Sequence, residues 1–238
     1  MSDSLVIIPT YNEKENIKAI IEAVFKQKKK FHILVVDDNS PDGTATIVES
    51  LISRYKNCLF IEKRKGKNGL GTAYIHGFKW AINKQYNYII EMDADFSHDP
   101  SDLIRLYNTC EKEGADVSIG SRYSLGVNVV NWPMKRVLLS FFASKYVRLI
   151  TGIPVHDTTA GFVCYKRKVL ETIRLDTIRF VGYAFQIEMK FKAWKHQFNI
   201  KEVSVIFTER TQGESKMNKG IIYEAFIGVL KMRLKGLR

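Results

Sequence analysis

Three cysteines in 238 residues, Cys58, Cys110 and Cys164, are too few, too scattered and odd in number for a disulfide framework. None has metal-binding spacing, so they are expected as reduced, buried thiols of a cytosolic protein. No stretch approaches the ~20 apolar residues of a membrane span. The amino terminus, Met-Ser-Asp-Ser, lacks a basic leader and a long apolar segment, so no signal peptide is expected. Internal repeats and low-complexity linkers are absent. Histidine is sparse too. His76, His98, His156 and His196 lie in helix or loop contexts without a nucleophile elbow, which leaves Ser-His-Asp catalysis unsupported. His32 simply begins a strand. Lys63-Arg64-Lys65-Gly66-Lys67-Asn68-Gly69-Leu70-Gly71 lacks the P-loop signature, and a solvated basic turn explains it as well as an anion loop does.

Positive charge is abundant. Thirty-seven Lys and Arg face 25 Asp and Glu, a formal net charge of +12. Such a surface suits an anionic partner: a nucleic acid, a phosphorylated substrate or an acidic membrane. No nucleic-acid-binding motif is recognisable, so no nucleic acid is expected.

Short apolar runs at Leu5–Ile8, Ile33–Val36, Leu59–Ile61, Tyr88–Met92 and Val117–Ile119 alternate with helical spacing over Glu13–Phe25, Thr44–Tyr55, Gly69–Asn83 and a helix starting at Asp99-Pro100. This alternation predicts an α/β domain with a mostly parallel central sheet flanked by helices. Beyond it, Trp132–Ile150 and Tyr183–Trp194 read as helices, and Gly161–Tyr165 and Ile200–Phe207 as strands.

The most informative segment is Met92-Asp93-Ala94-Asp95, directly after an apolar run. Two carboxylates one residue apart repel unless a divalent cation or a shared proton intervenes. An oxygen-only pair favours Mg²⁺ or Mn²⁺. Asp37-Asp38 follows another apolar run. Pro9-Thr10-Tyr11-Asn12-Glu13 and Ser121-Arg122-Tyr123 also fall at strand ends, where ligands of such sheets bind. Competing structural roles are helix capping near Asp93 and Asp95, and turn chemistry around Asn39-Ser40-Pro41-Asp42-Gly43 for Asp37 and Asp38. Asp99 and Asp42 read as helix caps. Arg122, Arg136, Arg210 and Lys216 are positioned as phosphate binders.

Pro9-Thr10-Tyr11-Asn12-Glu13, Asp37 through Thr44 and Met92 through Pro100 resemble family 2 glycosyltransferases, and more narrowly the polyprenol-phosphate (dolichol-phosphate) mannose synthases. Gly69-Leu70-Gly71-Thr72-Ala73, Gly120-Ser121-Arg122-Tyr123, Gly182-Tyr183-Ala184-Phe185-Gln186 and Arg210 with Gly213-Glu214-Ser215-Lys216 extend the resemblance. It implies a GT-A-type nucleotide-sugar-binding domain over 1–211, with a donor-binding half to about 123 and an acceptor-binding half from 124. A phosphate-binding loop and an amphipathic helix would occupy 212–238. The implied reaction is inverting transfer of mannose from GDP-mannose to a polyprenyl or dolichyl phosphate, dependent on Mg²⁺ or Mn²⁺. Pro9, Tyr11, Glu13, Val36 and Asp38, with Asp37 beside them, would line the base and ribose. Asp93, Ala94 and Asp95 would meet the nucleotide. Asp93 and Asp95 would hold the metal, with Ser97 where some relatives carry Gln. Arg122, Arg210 and Lys216 would hold donor phosphates, with Asp95, Arg122 and Arg210 as the catalytic set. Arg136 and Ser140 would meet the acceptor phosphate. A UDP-sugar donor is the nearest rival and a non-catalytic nucleotide-sugar-binding subunit a distant one.

Some family members carry carboxyl-terminal membrane helices and others rely on a membrane-anchoring subunit. Here two basic amphipathic segments, Pro133–Ile150 and Ile221–Arg238, are expected either to lie on an anionic bilayer or to pack against the domain or a partner copy in a homo-oligomer. The expected location is cytoplasmic, peripheral to the cytoplasmic face of a membrane.

Overall fold

The structure, a computed structural model, describes residues 2–182, 184–209, 226 and 228–234. In chain order its elements are β1 (Ser4–Thr10), α1 (Ile17–Phe25), β2 (His32–Asp37), α2 (Thr44–Ile52), β3 (Leu59–Lys63), α3 (Leu70–Asn83), β4 (Tyr88–Glu91) and α4 (Leu103–Glu111). Then come β5 (Val117–Ser121), β6 (Val129–Val130), α5 (Met134–Thr151), β7 (Val163–Lys166), α6 (Arg167–Ile173), α7 (Ala184–Lys195), β8 (Ile200–Ser204) and β9 (Phe207–Thr208).

Seven strands form one sheet in the order β3-β2-β1-β4-β7-β5-β8, and β6 pairs with β9 in a separate ladder. Every neighbouring pair in the large sheet is parallel except those made by β7, which runs antiparallel to both β4 and β5. Strands β1, β2 and β4 are buried on both faces, which explains why they read as unbroken apolar runs rather than alternating ones. Successive side chains point to opposite faces. Leu5 and Ile7 join one core with residues of α3, α6 and α7, while Val6 and Ile8 join the other with residues of α1, α2 and α4.

The chain builds outward from β1 through β2 to β3, then returns to place β4 on the other side of β1. That reversal opens a crevice at the carboxyl ends of β1 and β4, where open α/β sheets bind ligands. The Pro9–Glu13 and Met92–Asp95 segments flank it.

Several bounds differ from the sequence reading. Helix α1 begins at Ile17, not Glu13, because Glu13–Asn16 forms a turn whose carbonyl at Glu13 accepts from the amides of Asn16 and Ile17. The helix expected from Asp99 opens as a short 3₁₀ turn over Pro100–Asp102. The expected strand Ile200–Phe207 is broken at Val205-Ile206, and its end crosses to the small ladder as β9. Helix α5 starts at Met134 because Pro133 is extended (φ −58°, ψ 137°). The expected strand from Gly161 begins at Val163, and α7 runs from Ala184 to Lys195. All three cysteines are free, with Cys110 and Cys164 buried and Cys58 partly so. No helix of the described residues is long and apolar enough to cross a membrane.

Helix α3 lies close on β1 at Gly77, where an added Cβ would sit 2.7 Å from Ile7 Cγ2. Gly77→Val is therefore expected to lower stability by about 1–3 kcal/mol through overpacking, read as a lower denaturation midpoint at unchanged m-value.

Candidate active site

The loop after β1 and the turn after β2 are built as one unit. Asp37 Oδ1 accepts from Thr10 Oγ1 (2.8 Å) and Ser40 Oγ (2.7 Å), and its Oδ2 accepts from the Ser40 amide (2.9 Å). Ser40 Oγ in turn accepts from the Asn12 amide at 3.0 Å. Asp42, expected as a helix cap, stands one residue before the N-cap Gly43; one of its oxygens accepts from the amide and hydroxyl of Thr44, and the other accepts from the Lys14 amide at 3.1 Å. Burial would raise the Asp42 carboxyl, but these hydrogen bonds outweigh it and hold the group below its usual range. Thr44 Oγ1 accepts from the Glu13 amide at 3.0 Å. Gly43 completes the turn at φ 88°, a left-handed conformation that glycine adopts without a Cβ penalty. The Ser-Pro-Asp-Gly-Thr segment thus fixes the backbone that presents Tyr11 and Glu13.

Asp37 and Asp38 have different surroundings. Asp37 is spent on the turn. Asp38 is held by a two-pronged Arg64 pair, Nε to Oδ1 at 2.6 Å and Nη2 to Oδ2 at 2.7 Å, and Arg64 Nη1 also donates to Thr72 Oγ1 at 2.8 Å. The basic segment before α3 therefore does more than meet solvent: Arg64 orients Asp38, and Lys67 Nζ sits 4.7 Å from the Tyr11 ring centroid.

One turn into α3, Tyr74 donates its hydroxyl to Asp93 Oδ1 at 3.3 Å. Burial first, and the Asp93 charge second, push the Tyr74 phenol well above its usual pKa, so it remains a donor. The Asp93 amide donates to His98 Nδ1 at 3.1 Å, and Asp95 Oδ1 accepts from the Ser97 amide at 3.1 Å. Between them Phe96 adopts φ 60°. A bulky residue in that region costs about 1–3 kcal/mol, the kind of strain found where a loop is held for function. Ser97 Oγ is buried without a hydrogen-bond partner among the described residues. Burial drives the His98 imidazole down to about 4 against the opposing pull of Asp95. It is therefore neutral near pH 7, with Nδ1 accepting from Asp93. His98 stacks on Phe162 at 4.8 Å and meets the edge of Phe207. His98 is buried, and its support of the Asp93 backbone was not read from the sequence.

Arg122 follows β5 and is buried against Asp157. Its Nε donates to Oδ2 and its Nη2 to Oδ1, both at 2.6 Å, and Nη2 also reaches Thr159 Oγ1 at 2.8 Å. Burial raises the Asp157 carboxyl, and the Arg122 guanidinium reverses this, leaving its pKa below the ordinary 3.8. The guanidinium lies 5.4 Å from the Phe207 ring and 5.5 Å from that of Trp132. Arg136 stacks on Trp132 at 3.9 Å and pairs with Glu209. Ser140 lies one turn along α5. The structure thus brings Pro9–Glu13, Val36–Asp38 and Asp93–Ser97 to the β1/β4 crevice, and places Arg122 and Arg136 against the Trp132–Phe207 aromatic wall. Arg210, Lys216 and the phosphate-binding loop expected around Gly213–Lys216 lie outside the described residues, as do Tyr183 and most of the segment expected as a helix over Ile221–Arg238.

Behind the acids, Glu91 at the end of β4 is pushed up to about 8 by burial, and Lys190 is lowered to about 8 by burial. Gln186 joins them: its Nε2 donates to Glu91 Oε2 at 2.9 Å, and Lys190 Nζ donates to Gln186 Oε1 at 3.2 Å and to the Ala160 carbonyl at 2.6 Å. Sequence reasoning did not single out Asp157, Gln186 or Lys190 as a polar network. The sequence carried no signal for it: the first ten residues of α7 are all buried although they include Gln186, Glu188, Lys190 and Lys192.

Removing one partner of a buried pair strands the other, so Asp157→Ala is expected to cost about 3–5 kcal/mol, measured by urea unfolding. Because the folded carboxyl pKa is depressed, the pair's contribution is complete above pH 3.8 and is lost as the pH falls through the lower folded value. The acid limb of the stability profile should therefore flatten in Asp157→Ala.

Residues 5–174 match the family model "Glycosyl transferase family 2". The chain is 44% identical over 233 residues to the "polyprenol monophosphomannose synthase" of Mycolicibacterium smegmatis, covering 98% of this chain and 88% of that protein. It is 40% identical over 238 residues to the "undecaprenyl-phosphate mannosyltransferase" of Micrococcus luteus, covering 98% and 97%. Among solved structures it resembles glucosyl-3-phosphoglycerate synthase from Mycobacterium tuberculosis in complex with Mn²⁺, UDP and its product. That likeness has a TM-score of 0.68 at 15% identity, covering 97% of this chain and 79% of that one, and it establishes the GT-A fold alone. With its strand-end motifs gathered at the crevice of such a sheet, this chain belongs to glycosyl transferase family 2.

Proposed function

We propose that this enzyme transfers mannose from GDP-mannose to a polyprenyl or dolichyl phosphate, with inversion, aided by Mg²⁺ or Mn²⁺. The observation that carries the reading is the placement of Asp93 and Asp95 at the β1/β4 crevice, in a chain whose nearly full-length relatives are named for mannosyl transfer to polyprenyl phosphates.

The donor set fits a hard divalent cation. Asp93 and Asp95 offer only oxygen, and the unpartnered, buried Ser97 hydroxyl adds a third oxygen beside them. Among the described residues no three His, Cys, Asp or Glu side chains come together as a metal site. Donor diphosphate oxygens would complete such a set, in keeping with the habit of Mg²⁺ of sharing ligands with phosphates. A bound cation there supplies Lewis-acid stabilisation of charge on the departing diphosphate.

The chain's own groups do the rest. Pro9, Tyr11, Glu13, Val36 and Asp38 receive base and ribose, with Asp38 preset by Arg64 and Asp37 fixing the turn beneath. Ala94, between the two acids, lets the nucleotide approach closely. Arg122, with Arg210 and Lys216, draws the donor phosphates in, and Arg136 and Ser140 receive the acceptor phosphate. That phosphate is already anionic near neutral pH, so its oxygen attacks the sugar carbon without a dedicated general base. The bond from that carbon to the donor phosphate breaks on the opposite face, and GDP leaves. Met134, Leu138, Leu139, Phe142 and Leu149 stand exposed on α5, which supports peripheral attachment at the cytoplasmic face of a membrane, where such an acceptor resides.

The test is transfer of radiolabel into lipid from GDP-mannose or UDP-glucose, in separate reactions with Mn²⁺ and a polyprenyl phosphate. Label from GDP-mannose alone is expected, and label from UDP-glucose alone would replace the donor. Asp95→Ala should reduce transfer roughly a thousandfold, as several kcal/mol of charge stabilisation are lost. Full activity in that variant without added metal would refute the mechanism.

A further inference from the structure

A cavity of about 310 Å³ lies between the segment after β5, helix α5 and the loop before β7, lined by Tyr123, Gly126, Val127, Phe141, Lys145, Arg148 and His156. A second depression, of about 650 Å³, adjoins it and shares Lys145 and Arg148. The two cations therefore stand between two openings. Among the described residues neither has a carboxylate within salt-bridge distance, and Lys145 Nζ instead sits 4.6 Å from the Phe141 ring centroid. The nearby acid, Glu202, is occupied by the His156 imidazole (2.7 Å) and by the amides of His156 and Asp157.

This cavity adjoins the acceptor-phosphate residues through Tyr123, whose ring lies 5.3 Å from the Arg122 guanidinium, but its two cations face another side of α5. Successive helix residues turn by about 100°, so Phe141, Lys145 and Arg148 share a stripe about a third of a turn from Arg136 and Ser140. On the cavity's other side the same rotation places Leu138, Phe142 and Leu149, all exposed and apolar. Val127 and Leu125 extend that surface, Leu125 being 77% exposed. Cations in a recess beside an exposed apolar band match a molecule with an anionic phosphate head and hydrocarbon chains.

We propose that Lys145 and Arg148 form a binding site for the phosphate head of an anionic membrane phospholipid distinct from the acceptor, whose chains remain in the bilayer against the α5 apolar band. The site sets how the enzyme sits on the membrane, and it rests on the reading of the enzyme as membrane-associated.

The experiment compares wild type with Lys145→Gln/Arg148→Gln. Sedimentation with phosphatidylcholine vesicles, with and without phosphatidylglycerol, reads lipid binding. Titration with inorganic phosphate reads a soluble anion, and transfer to detergent-dispersed polyprenyl phosphate reads catalysis. Binding that requires phosphatidylglycerol should weaken about 30-fold in the variant, at roughly 1 kcal/mol per basic residue. Thermal midpoint and transfer in detergent should stay unchanged. Equal vesicle binding by the two proteins would overturn the proposal. So would a raised KM for the detergent-dispersed acceptor, which would make the cavity part of the acceptor site, or phosphate binding as tight as lipid binding. If wild type transfers mannose yet ignores every vesicle, the lipid site falls with the membrane reading while the transferase reading stands.

Discussion

Acidic groups gathered at one edge of a sheet repel one another and lose water, and the polar framework here is organised around that cost. A carboxylate in low dielectric is tolerated when a charge or a set of donors answers it. Asp38 is answered by Arg64 and Asp157 by Arg122, whereas Glu91 is only half answered: Gln186 donates to its Oε2, its Oε1 has no partner among the described residues, and burial pushes the carboxyl up to about 8. Asp37 is answered by hydroxyls and an amide instead of a cation, which suits a group that shapes a turn.

These pairings also join distant parts of the chain. Helix α3 reaches both acidic strand ends, through Thr72 to the Arg64–Asp38 pair and through Tyr74 to Asp93. The 157–160 loop reaches Arg122 through Asp157 and Lys190 through the Ala160 carbonyl. His98 spans the remaining gap, holding the Asp93 amide while packed between Phe162 and Phe207. Residues at the β1/β4 crevice and those around Arg122 are thereby joined by hydrogen bonds and ring packing through His98.

Strands β1, β2 and β4 were legible because burial on both faces leaves a continuous apolar run, and the acids ending two of them marked the edge where the crevice opens. The antiparallel course of β7 was not legible, because strand direction depends on the connection and not on composition. Helix α6 begins immediately after β7, at Arg167, with no turn signal between them. Arg64 was hidden in a basic run that resembles solvated surface. Asp157 was hidden because its partner is 35 residues away. Lys190 was hidden because a lysine on a helix reads as solvent-facing until the whole of α7 is known to be buried.

The account turns on Asp93 and Asp95 acting together with a nucleotide diphosphate as one cation site. Manganese binding followed by electron paramagnetic resonance, with and without GDP, tests this directly. Tight binding only when GDP is present, lost in Asp95→Ala, is the predicted result. Manganese held equally well without nucleotide, or held equally well by Asp95→Ala, would contradict it.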